Sequence, residues 1–313
     1  MTRLASLLFA TTLFSLAATG PATAGDLRLR AETGVAVLNF ADNLSGRGEQ
    51  QLNSLNDKPT HKTRLFPLVL FDLRYQTADD GPTWFLNSTA AEPGSIAAGV
   101  SHPLAGGTLE GALFYNFIGS GWENPYVLTR TSTTIYTYGG RLKYDRLLET
   151  PLALTYRATV LDVATDVSGD LTPSLKRDGV VHRLALDWGL QLGANVTVTP
   201  GFAWERGAID GEANRFDLYE TSVAASYKTD QLLVNGRLAV GFHKYDAANP
   251  VFGVTRDETS YSAMASTTLR KPLPRWERVF MTIGGLYGHT DANLPFFTKD
   301  QAIAFADIGY RFY

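Results

Sequence analysis

Apolar and polar residues alternate along most of this chain, two residues to the period. Residues 27–40 place Leu27, Leu29, Val35 and Val37 on one face and Arg28, Arg30 and Glu32 on the other. Residues 63–76 repeat the pattern, with Leu65, Val69, Phe71, Leu73 and Tyr75 set against Arg64, Asp72 and Arg74. A period of two marks a strand whose faces see different media. The alternation recurs over 108–118, 133–145, 152–164, 180–192, 195–206, 215–228, 232–244, 259–270, 278–289 and 301–312, with shorter candidates at 84–88 and 96–102. That predicts about fourteen strands of roughly ten residues each, a signature that is weak per segment and strong in repetition. If the 84–102 hairpin stands outside the wall, the number falls to about twelve.

The connections alternate too. Tight ones fall at 78–83, 103–107, 147–150, 193–194, 229–230 and 271–276. Mostly longer ones fall at 41–62, 119–132, 165–179, 207–214, 246–257 and 290–299. Short turns at one end and long loops at the other are expected of a transmembrane antiparallel up-and-down β-barrel, with the turns periplasmic. Both chain ends then sit on the turn side, which requires an even strand number. The fold class is therefore all-β, and the absence of linkers makes 25–313 one domain.

The two ends agree with this reading. Arg3, the apolar run 4–18 and the small-x-small triplet Ala22-Thr23-Ala24 predict a secretory signal peptide over 1–24, cut before Gly25. The apolar run is short for a membrane anchor. The chain finishes Asp307-Ile308-Gly309-Tyr310-Arg311-Phe312-Tyr313, with Ile308, Tyr310 and Phe312 on one face. An aromatic edge of this kind invites aggregation unless the strand pairs and closes a barrel. The tail resembles the C-terminal recognition signal of Gram-negative outer-membrane barrels, except that Tyr313 follows the usual final aromatic. The expected partners are thus outer-membrane lipid, lipopolysaccharide and, through the last strand, the barrel-assembly machinery.

Composition narrows the functional classes. The 313 residues include no Cys, so an exported chain closes by packing and hydrogen bonding without disulfides. A net charge of -3 and the absence of basic runs argue against nucleic acid as a partner. Mean hydropathy is -0.08, as expected where lipid-facing and lumen-facing residues average out. No phosphate-cradling glycine fingerprint follows a strand, and no cofactor is implied.

The segment Leu52-Asn53-Ser54-Leu55-Asn56-Asp57 leads through Phe66-Pro67-Leu68-Val69-Leu70-Phe71-Asp72-Leu73-Arg74-Tyr75. With the later Lys176-Arg177-Asp178-Gly179, it resembles an uncharacterised family of Gram-negative proteins catalogued as a domain of unknown function, numbered twenty-eight sixty. The resemblance spans nearly all of 25–313. It implies an outer-membrane barrel and assigns no activity.

Candidate chemistry is sparse. The five histidines are His61, His102, His182, His243 and His289, without metal-ligand spacing. His289 with Asp291 near one rim could serve a hydrolase, but no G-x-S-x-G elbow accompanies them, and beside Tyr287 an interfacial role fits better. Asp79-Asp80 reads as a turn signal before Gly81-Pro82. Asp42 and Glu49, in a long outer loop, read as solvated acids or as divalent-ion contacts to lipopolysaccharide.

The polar faces carry more information. Opposite the apolar ladder stand Arg28, Arg30, Arg64, Arg74, Arg141, Lys143, Arg157, Arg183, Arg237, Arg270, Arg278 and Arg311. The acids there are fewer: Glu32, Asp72, Glu110, Asp187, Glu205, Glu220 and Asp307. Such charges either pair across strands or bias ion traffic through a pore. The pore-lining candidates are Arg64, Asp72, Arg74, Arg157, Arg183, Asp187, Glu220, Arg237, His243 and Asp307. The expected function is a porin-like passive or gated pore for small solutes, somewhat anion-attracting, with loop 41–62 as the natural plug. An outer-membrane hydrolase with a rim site and a structural or adhesive barrel are the alternatives.

Overall fold

A computed structural model of the chain describes residues 25–78, 80–88, 94–273 and 275–312. The predicted signal peptide over 1–24, Asp79 of the predicted turn, and Tyr313 lie outside the described residues. The wall strands are β1 (Asp26–Ala41), β2 (Lys62–Gln76), β3 (Thr83–Ser88), β4 (Ser95–Leu104), β5 (Gly107–Asn116), β6 (Ser132–Asp145) and β7 (Leu152–Val163). They continue as β8 (Gly179–Trp188), β9 (Val196–Ile209), β10 (Phe216–Lys228), β11 (Leu232–Asn249), β12 (Val254–Arg270), β13 (Val279–Ala292) and β14 (Lys299–Phe312). Leu190–Leu192 prolongs β8 past a break at Gly189, and Ser120–Trp122 pairs with β6 off the ring. Each strand is antiparallel to its chain neighbour, and β14 returns to β1, with Leu29 opposite Phe312 and Ala41 opposite Asp300. The result is a closed fourteen-stranded barrel. The 83–104 hairpin belongs to the wall, which settles fourteen over twelve.

Alternation decides which way each side chain faces. Leu65 (72% exposed), Leu113 (73%) and Leu238 (60%) face outwards. A soluble protein would bury such residues; here they form the surface that lipid covers. Outward aromatics gather towards both ends, with Trp84, Trp188, Tyr227 and Tyr310 near the turns and Tyr115, Tyr136, Trp204 and Tyr219 nearer the loops. This is the girdle arrangement of a membrane barrel. On β14, Ile308, Tyr310 and Phe312 are exposed while Asp307 and Gly309 are buried on the inner face, as the alternation predicts.

Two of the predicted connections are shorter than expected. β9 runs on to Ile209, and β11 and β12 continue to Asn249 and from Val254. Lys244, Asp246 and Asp257 stand on the outer face there, so backbone pairing persists where the lipid-facing alternation has ended. Hydrophobic periodicity therefore reports the membrane span, which is less than the strand.

Candidate functional site

The inner wall carries a row of like charges. Arg141 on β6 stands directly opposite Arg157 on β7, and Arg157 directly opposite Arg183 on β8. Glu205 on β9 completes the row beside Arg183. Directly opposed side chains sit about 4.5–5.5 Å apart, so three guanidiniums in register repel one another. Neighbours compensate. Arg141 reaches Glu110 at 2.7 Å, and Arg183 reaches Glu205 at 3.3 Å and Glu220 at 2.7 Å. Glu220 also accepts from Arg237 at 2.9 Å, and Arg237 donates to Ser222 at 3.1 Å. Arg157 lies over the Phe114 ring, 4.1 Å from its centre. Water reaches this belt, since the Arg237 side chain is 41% exposed and that of Arg141 37%. Towards the turn end the inner surface widens into an open recess of about 660 Å³ lined by Gln191, Thr197, Ser226, Lys228 and Arg270.

The other candidates are distributed around this belt. Asp72 pairs with Arg74 at 3.1 Å towards the turns. Arg64 donates to the Arg47 carbonyl at 3.0 Å, near the loops. The Asp187 carboxylate lies over Gly201. His243 packs against Phe216 with ring centres 5.6 Å apart and stands in register with Glu258. Asp307 is buried on the inner wall between Gly34 and Thr282. Thus Arg157, Arg183, Glu220 and Arg237 come together, Asp187 and His243 lie on the neighbouring rungs of the same wall, and Arg64, Asp72, Arg74 and Asp307 lie elsewhere.

His289 sits on the outer face. Its Nδ1 is 2.7 Å from Asp300 Oδ1, its ring stacks on Tyr261, and Tyr287 shares its face. Asp42 accepts from the Leu44 amide at 2.8 Å, and Glu49 faces Lys62 at 3.4 Å.

The loop end holds what alternation cannot show. Six connections turn inward and share one apolar core. Leu52, Tyr126, Leu175, Ala213, Phe296 and Phe297 form it, with Phe252 packed against it. Phe296 is 0% and Phe297 1% exposed. Tyr126 sits at the centre, its ring 5.7 Å from Phe296 and 6.2 Å from Phe252, and its hydroxyl accepts from Asn249 at 3.3 Å. Burial pushes the Tyr126 phenol above its ordinary value, with Arg256 opposing.

Two buried charges tie the cap together. Arg130 donates to the carbonyl of Asn43 at 2.6 Å and to that of Glu49, while lying over Trp122. Burial lowers its pKa to about 10, which leaves it charged at neutral pH. Asp166 caps the one-turn helix α1 (Val167–Leu171) by accepting from Gly169, and takes two further bonds from the Arg177 side chain at 2.6 and 3.0 Å. Burial pushes the Asp166 carboxyl up, but bonds from Arg177, Ser168 and Gly169 outweigh it and hold the group below its usual range. Arg177 reaches on to the Glu123 carbonyl, and Lys176 bridges to Asp210 at 2.9 Å. The 42–61 loop contributes to the plug through Asn43 and Leu52, but five other connections build it as well. The consecutive aromatics Phe296-Phe297, in a connection otherwise rich in polar residues, were the available sequence signal for this core.

Among the solved structures similar to this chain, three match at low identity. A loop-deletion mutant of OmpT, an outer-membrane protein of Vibrio cholerae, matches with a TM-score of 0.44 and 9% identity, over 92% of this chain and 100% of that one. The outer-membrane channel DcaP of Acinetobacter baumannii matches at 0.41 and 11%, over 92% and 97%. An anion-selective porin from Comamonas acidovorans matches at 0.39 and 9%, over 92% and 100%. No curated protein matches the sequence. One family model does, over residues 28–311, and with the greater part of its length inside that match the chain belongs to the family described as protein of unknown function DUF2860.

Proposed function

We propose that this protein is a gated, porin-like passage for small solutes in the Gram-negative outer membrane. The carrying observation is the contrast along the lumen axis. A charged, water-reached belt around Arg141, Arg183 and Arg237 opens towards the turns, while the described loops at the other end pack a buried aromatic core. A polar lumen under lipid-facing walls suits diffusion of hydrated solutes, and an apolar constriction gates by excluding water. In this reading the turns face the periplasm, the outer face meets lipid and lipopolysaccharide, and the last strand engages the assembly machinery. Removal of 1–24 on export belongs to the same reading. Cell fractionation with N-terminal sequencing checks it, and a mature protein found soluble in the periplasm contradicts it.

Planar-bilayer conductance of refolded protein tests the passage itself. The expected result is low conductance for the wild type and clear steps once the cap is loosened. Silence in both forms would move the assignment to the second reading, a closed barrel whose folded cap is displayed to a surface partner. The observation favouring that second reading is the number of loops committed to one packed core.

A further inference from the structure

We propose that the rim of the barrel at the turn between β12 and β13 binds a phospholipid headgroup carrying both a phosphate and a primary ammonium. This rests on the reading that the turns lie at the periplasmic edge of the membrane, and it adds a partner on the lipid side. Three observations carry it. The first is where basic residues fall among the turns. Of the six tight connections, 78–83, 103–107, 147–150, 193–194 and 229–230 hold no Lys or Arg. The sixth, 271–276, holds Lys271 and Arg275, and Arg278 follows it. Basic side chains gathered at a membrane edge are drawn to the phosphates of the lipid surface.

The second observation is a cleft of about 340 Å³ at this turn, lined by Arg275, Trp276, Glu277, Arg278, Val279 and Tyr310. It opens on the lipid side, because Val279 stands in register with the outward-facing Tyr310. Its frame is held by backbone bonds. The Lys271 amide donates to the Val279 carbonyl at 3.1 Å, that of Trp276 to Leu273 at 2.9 Å, and that of Arg311 to Arg278 at 3.0 Å. The third observation is the chemistry of the lining. Among the described residues no ion pair engages Arg275, Glu277 or Arg278, so charges of both signs face the cleft. Guanidiniums meet phosphate oxygens with paired N–H donors. The Glu277 carboxylate would repel a purely anionic headgroup, whereas a primary ammonium donates to it. The Trp276 ring, 42% exposed, offers the same ammonium its face. Leu273, 49% exposed on the turn, and Val279 in the cleft give the acyl chains an apolar seat.

Native mass spectrometry of the refolded full-length protein tests this. The probes are phosphatidylethanolamine, phosphatidylglycerol and phosphatidylcholine of matched acyl chains, titrated in detergent. Phosphatidylethanolamine should bind the wild type most tightly. Replacing Arg275 and Arg278 together by Gln should weaken it about tenfold or more, the scale of one lost charge-assisted contact. Glu277→Gln should bring phosphatidylglycerol level with it or above. The outward-facing Lys244→Gln, at the loop end, should change neither. A wild type without preference for phosphatidylethanolamine, or equal affinity in the double arginine variant, overturns the site. If the double variant fails to refold, Arg275→Lys and Glu277→Gln decide, and unchanged affinities and preference in both overturn the proposal. Conductance is measured separately: a conducting protein without lipid preference keeps the pore and loses the site. A silent protein with the preference keeps the site and loses the pore.

Discussion

Leu186 and Gln191 follow one another along a single strand line and face opposite media. Leu186 points into lipid, while Gln191 lines the recess on the inner wall. Leu186→Arg should destabilise the barrel by up to roughly 2 kcal/mol, between the midplane and interface scales for a cation on the lipid face, and Gln191→Arg should be mild because its charge stays hydrated. Folding titrations in lipid vesicles measure both, and equal losses would reverse the face assignment. At the cap, Asp166 makes a prediction about pH. Its carboxyl is held below the ordinary value, so its ionised form stabilises the folded loops above the unfolded pKa, about 3.9. That contribution disappears as pH falls through the folded value. Asp166→Asn should loosen the cap at neutral pH by about 1.5–3 kcal/mol, the scale of bonds to a charged group. Limited proteolysis of the 164–178 loop should show faster cutting of the variant at pH 7, with the difference from wild type closing in acid. Identical profiles throughout would mean that Asp166 holds nothing.

At the scale of strands, the inner wall repeats one device. A phenylalanine lies across the glycine directly opposite it on the next strand, as in Phe280 with Gly309 and Phe114 with Gly139. The same pairing joins Phe85 to Gly99, Phe216 to Gly207 and Phe305 to Gly284. A glycine in a strand leaves backbone uncovered, and the ring of a cross-strand neighbour covers it. Phe280 is fully buried in this way, with Arg30 stacked 4.2 Å above its ring. A Cβ at Gly309 would run into the Phe280 ring. Gly309→Ala should therefore cost about 1–3 kcal/mol by overpacking, and Phe280→Leu should relieve part of that loss in the double variant. Additive losses measured by urea titration in micelles would mean that the ring does not cover the glycine.

For the whole molecule the question is whether the cap is a door. Replacing Phe296 and Phe297 together by Asp places two charges in a core that excludes water. Each buried phenylalanine removed should cost about 3–5 kcal/mol locally, whereas the wall, closed by backbone pairing, should persist. Conductance should rise while resistance of the barrel to unfolding by detergent and heat remains. Loss of the whole barrel with the cap would mean that the two fold as one unit, which argues against gating. The cap itself is tied together at long range: Asn43 Nδ2 donates to the Phe296 carbonyl at 3.2 Å across 253 positions of sequence.

That distance separates what was legible in the chain from what was not. The facing of nearly every wall residue follows from alternation, because a strand turns each side chain by half a revolution from the last. The strand count was legible only to fourteen or twelve, because the short 84–102 hairpin shows too few periods, and its pairing in the wall settled fourteen. The membership of the lumen face, Arg157, Arg183, Glu220 and Arg237 among it, follows from the alternation. Register was not legible, since sliding a strand by two residues leaves its pattern intact. Only the closed ring of hydrogen bonds aligned Arg141, Arg157 and Arg183 into a row and brought Glu220 between Arg183 and Arg237. The cap was hidden for a related reason. Its core residues come one or two from each connection, too few for any period, and Tyr126, Leu175 and Phe296 meet only when the barrel closes and holds the loops over one mouth.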